Sequence, residues 1–109
     1  MPSIQLVDNF TNATSDTVET VYTSPSDNST IIETFTAANN SGVNASYKGY
    51  IVSQSGVLQP QRPFKIIVWG EIHSGAGLVN QVIPPGGSLR VESSAINSIY
   101  FTVTGKVLV

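Results

Sequence analysis

The 109-residue sequence has no cysteine, so neither a disulfide framework nor a thiolate metal site can hold the chain together. Charge is scarce too. Asp, Glu, Lys and Arg make up 11% of the residues against 40% apolar, and Ser, Thr, Asn and Gly fill the difference. No apolar run approaches the roughly 18 residues that a spanning helix needs, and Met1-Pro2-Ser3-Ile4-Gln5-Leu6 has neither a basic region nor a secretory apolar core. The expectation is a soluble chain with no export signal and no membrane partner. Lys and Arg are missing before Lys48. Up to Tyr47 the charges are Asp8, Asp16, Glu19, Asp27 and Glu33, a net −5, and from Lys48 onward Lys48, Arg62, Lys65, Arg90 and Lys106 stand against Glu71 and Glu92, a net +3. Such segregation arises by accident where charges are few; the sharper reading is an acidic half that meets a basic surface of a second copy or a larger partner. Scattered single cations disfavour nucleic acid, which demands a basic stripe.

What the sequence does contain is period-two patterning cut by turn residues. Pro84-Pro85-Gly86-Gly87 is a tight reversal, because proline lacks an N–H and the glycines supply positive φ. After it Leu89 and Val91 alternate with Arg90 and Glu92, and Ile99, Phe101 and Val103 alternate with Tyr100, Thr102 and Thr104. Residues 17–23 and 30–38 read as strands joined by the turn Ser24-Pro25-Ser26-Asp27-Asn28, and 43–53 as another after the turn Asn39-Asn40-Ser41-Gly42. Gly49 inside that strand signals a bulge or a close backbone approach. Pro60-Gln61-Arg62-Pro63 belongs to a surface connection that prolines stiffen. Residues 64–72 read as one strand with apolar groups on both faces, either covered on both sides or exposing Ile67 and Trp69 to another chain. His73 to Gly77 then reads as a turn and 78–83 as a short strand. Seven to eight short antiparallel strands in one domain predict an all-β fold, a single β-sandwich or jelly roll. Residues 17–109 form that domain. Residues 1–16 read as an extended N-terminal arm, because Ile4, Leu6, Val7 and Phe10 fit neither one helical face nor a clean strand; as an arm they would be buried on a partner, and the plainer alternatives are a frayed terminus or a first edge strand.

Nothing in the residues encodes a reaction. His73 is the sole histidine and has only Glu71 beside it, too few ligands for zinc, and no helix follows Gly75-Ala76-Gly77 to make it a phosphate loop. The expectation is no enzyme, no metal and no cofactor. Trp69, Tyr50 and Tyr100 sit opposite the apolar faces of their strands. With Ile67 they are candidates for a protein interface, or for the stacking platforms of a sugar-binding module.

The segment Val18 to Pro25, the turn Asn39 to Gly42, the turn Ile83 to Leu89 and the closing Tyr100 to Gly105 resemble, in this order, the small β-sandwich virion proteins of tailed bacteriophages. The resemblance covers residues 17–107. It implies a structural protein made in the host cytoplasm and built into the virion. The type it suggests is a capsid decoration or cement protein that binds the head exterior and clamps neighbouring major capsid subunits, with self-association as homo-oligomers. Tail- or fibre-associated adhesion modules and sugar-binding sandwiches are the alternatives.

Overall fold

The computed structural model describes residues 3–40, 42, 44–56, 65–67, 72–74 and 78–108, with the backbone alone at 65–67, 73 and 74. All regular structure among them is β: β1 (Ile4–Phe10), β2 (Glu19–Thr23), β3 (Ser29–Asn39), β4 (Ala45–Val52), β5 (Lys65–Ile67), β6 (Ile72–Ser74), β7 (Val82–Ile83), β8 (Ser88–Ser93) and β9 (Ile99–Leu108). Three of these, β5 to β7, are two or three residues long, which is why nine strands stand where seven or eight are expected.

The pairing is nested. β1 pairs with β9, β2 with β8, β3 with β6 and β7, and β4 with β5, all antiparallel. The chain is thus one long hairpin, first strand against last, rolled up so that β3 also pairs with β9 and β4 with β8. Rolling produces a five-stranded sheet in the order β1-β9-β3-β6, with β7 also on β3, and a four-stranded sheet in the order β2-β8-β4-β5. This is a jelly roll, and the predicted all-β sandwich class holds.

The core lies between the sheets. Phe35 on β3, Tyr47 on β4 and Phe101 on β9 form an aromatic triad with ring centroids 5.5 to 6.0 Å apart, and Ile32, Ile51, Leu89, Val91, Ile99 and Val103 surround it. Inward residues alternate with outward ones along β9, from Ile99 to Gly105, as the sequence pattern requires. Leu78 plugs the layer over Gly49, and the register of β4 on β8 runs unbroken past that glycine, so its purpose is close approach and not a bulge.

The arm expected at residues 1–16 is corrected. Ile4 to Phe10 is the edge strand β1, hydrogen-bonded to β9, with Val7 only 5% exposed. The single strand expected over 64–72 is corrected as well: Lys65–Ile67 pairs with β4 in one sheet, whereas Ile72–Ser74 pairs with β3 in the other. His73, expected in a turn, is a strand residue opposite Ala37. The charge segregation along the sequence does not survive in space either. Acidic-half strands β1 and β3 flank basic-half β9, and β2 pairs with β8, so the halves interleave and Glu33 meets Lys106 at 3.4 Å.

Candidate functional site

Of the arm residues, Val7 belongs to the core and Leu6 and Phe10 pack against it, so these three serve the domain itself; Ile4 alone is largely exposed, at 47%. Of the four residues expected on a sheet face, Ile67, Trp69, Tyr50 and Tyr100, the two tyrosines lie in different sheets. Tyr100 lies on the outer side of β9 in the five-stranded sheet, level with Ala38 and, one strand further, Ile72. Tyr50 lies on β4 in the other sheet, buried, with its hydroxyl donating to Glu92 Oε1 at 2.9 Å. Burial, with the neighbouring carboxylate adding to it, pushes the Tyr50 phenol up to about 12. Ile67 stands opposite Ala45 on β4, while Trp69, Glu71 and the motifs at 60–63 and 75–77 lie outside the described residues.

The outer side of β3 and β9 carries Thr34, Thr36, Ala38, Tyr100, Thr102 and Thr104, with Thr34 and Thr104 bonded hydroxyl to hydroxyl at 2.6 Å. The charged residues of these two strands, Glu33 and Lys106, pair with each other at one end of this face. It is a broad, nearly uncharged surface with an apolar row, Ile72, Ala38 and Tyr100, across three strands.

A cleft of about 260 Å³ opens on the other sheet, lined by Asp16, Ser46, Tyr47, Lys48, Glu92 and Ser94. Ser46 N–H donates to Ser94 Oγ and Ser94 N–H to Ser46 O, both at 2.9 Å, so the two strands fix its base. The loop 11–18 contributes Asp16 to the cleft. Asp16, at φ +54, donates its N–H to Ser93 O at 2.8 Å, and fully buried Asn12 donates through Nδ2 to Glu19 Oε2 at 3.1 Å and Val91 O at 3.2 Å. Glu19 Oε2 also accepts from the N–H groups of Ala13 and Thr14. The orientation of the Asn12 amide follows from that carboxylate, which needs donors; it leaves Oδ1 buried with no hydrogen-bond partner.

None of these cleft residues is legible as a site in the sequence. Asn12 looks like one more polar loop residue, and its partners Glu19 and Val91 are identified only by the pairing of β2 with β8. Among the described residues no group of three or more His, Cys, Asp or Glu side chains is arranged to hold a metal ion, and no helix is long and apolar enough to cross a membrane. Comparison with protein-family models, with curated proteins and with solved structures found no match.

Proposed function

We propose that this chain is a non-enzymatic structural protein of a phage virion, a decoration protein that sits on the head exterior and clamps neighbouring major capsid subunits. The observation that carries the reading is the ordered set of motifs by which the chain resembles small virion sandwiches, taken together with where those motifs lie. The motif ending at Pro25 and the turn from Ile83 to Leu89 are far apart in sequence yet form one corner of the roll: Ser24 N–H donates to Gly87 O at 2.8 Å and Gly86 N–H to Pro25 O at 2.9 Å. Gly86 has φ +72, the position at which a type II reversal requires glycine. The closing Val103-Thr104-Gly105 is the stretch of β9 that β1 and β3 embrace, and at Gly105 a side chain would collide with Ile31 O. The resemblance is therefore to a way of rolling the chain. Jelly rolls serve in viral shells and also in lectins, so the roll alone does not choose between them.

A decoration protein needs a rigid body and a broad surface that tolerates contact without charge repulsion. The nearly uncharged outer face of β3 and β9, with Tyr100 in its apolar row, is the surface this reading assigns to the shell or to a second copy. With β1 locked into the sheet, grip comes from this face and not from a free arm. The test is co-sedimentation of the purified chain with heads and with tails of the virion concerned. Saturable, stoichiometric binding to heads is expected. Binding to tails alone would transfer the reading to a tail-associated module, and binding to neither would end it.

A further inference from the structure

We propose that the cleft between the loop 11–18 and the β4–β8 pair binds a neutral sugar, one pyranose ring in size. None of the described lining residues is one of the aromatics that the sequence offers as stacking platforms, and the site does not rest on the virion reading. Its first support is rigidity. Tyr47 is locked by ring contacts with Phe35 and Phe101, Ser46 and Ser94 are bonded to one another, and the loop 11–18 is held by Asp16 N–H on Ser93 O and by the Asn12–Glu19 clamp. A preformed site spares a weak ligand the cost of ordering loops.

The second support is the mix of hydrogen-bonding groups. Asp16 and Glu92 carboxylates only accept, the Lys48 ammonium only donates, and the hydroxyls of Ser46 and Ser94 do both. Glu92 is oriented by the hydroxyl that Tyr50 donates to it. Adjacent hydroxyls on a sugar ring present donors and acceptors a bond or two apart, which is what such a lining can satisfy together. Charge narrows the choice further. Among the described lining residues two carboxylates stand against one ammonium, a balance that disfavours phosphate, sulfate and carboxylate ligands, and a cation would meet Lys48. At about 260 Å³ the cleft falls just under the range of roughly 300 to 1,000 Å³ typical of drug-sized ligands, which limits the occupant to a single ring.

The experiment is an amide-resolved NMR titration of the whole chain with methyl α-glucopyranoside, methyl β-galactopyranoside and N-acetylglucosamine, each to about 50 mM, with choline and inorganic phosphate as charged probes. At least one sugar should give saturable shifts centred on Asp16, Ser46, Lys48, Glu92 and Ser94, with a dissociation constant in the millimolar range. Asp16→Asn should weaken that binding about fivefold or more while leaving the rest of the spectrum unchanged, because asparagine accepts a left-handed backbone. The proposal is overturned if no sugar moves these amides, if choline or phosphate moves them in preference, or if Asp16→Asn binds as tightly as the parent.

Discussion

Leu78 packs its side chain over the Cα of Gly49, in the space that a Cβ at position 49 would occupy. Leu78 is itself 1% exposed and has little room to retreat. Gly49→Ala should therefore cost about 1–3 kcal/mol as an overpacked core, seen as a lower urea midpoint with an unchanged slope. Two tyrosines can be followed individually as well. Burial pushes the phenol of Tyr47 up to about 12, and burial with help from Glu92 does the same for Tyr50. Because the folded state holds these protons more tightly than the unfolded chain, their contribution to stability is complete below the ordinary tyrosine range and is lost as pH rises toward about 12. In a spectrophotometric titration both should ionise late, near pH 12, and Tyr50→Phe should remove one late phenolate without moving the other.

At the scale of elements, β1 decides how the N-terminus is understood. Its residues fail a strand pattern for a physical reason: the register on β9 slips between Gln5 and Val7 and again between Val7 and Phe10, and Asn9 sits at φ +52. Bulges break the period that sequence reading depends on, and at a sheet edge they also discourage pairing with another chain. Strands β8 and β9 are legible because each keeps its period against the core, whereas β3 shifts its register on β9 between Ile32 and Thr34, so that Ile32 and Phe35, three residues apart, both face inward. Residues 64–72 mislead for a different reason. Apolar groups on both faces suit one central strand as well as two strands of different sheets. The cleft is invisible to any local reading, since Asp16, Ser46 and Glu92 meet only through long-range pairing. Removing residues 1–10 should uncover β9, expose the core at Val7 and lower the thermal midpoint by about 10 °C or more, measured by circular dichroism. An unchanged midpoint would restore the arm. The same strand is tied down at Glu33, whose carboxyl lies below the usual range because Ser3 Oγ donates to it and, secondarily, because Lys106 is near. A lowered pKa stabilises the fold above the ordinary carboxylate range, and that stabilisation disappears as pH falls through the lowered value. The difference in thermal midpoint between the parent and Glu33→Gln should accordingly be largest near neutral pH and shrink as pH falls through the lowered value.

For the molecule as a whole, the nested pairing hydrogen-bonds the first described strand to the last, and it places Tyr50 and Tyr100 in different sheets. On the clamping role proposed above, such a body would act as a rigid wedge, made effective by many weak copies. Its consequence is mechanical. The most direct measurement is the temperature at which DNA-filled heads stripped of the chain rupture, before and after the purified chain is added back. Restored resistance to heat, saturating as the heads fill, is the predicted result; heads that bind the chain and rupture at the same temperature, or that bind none, would contradict a clamping role.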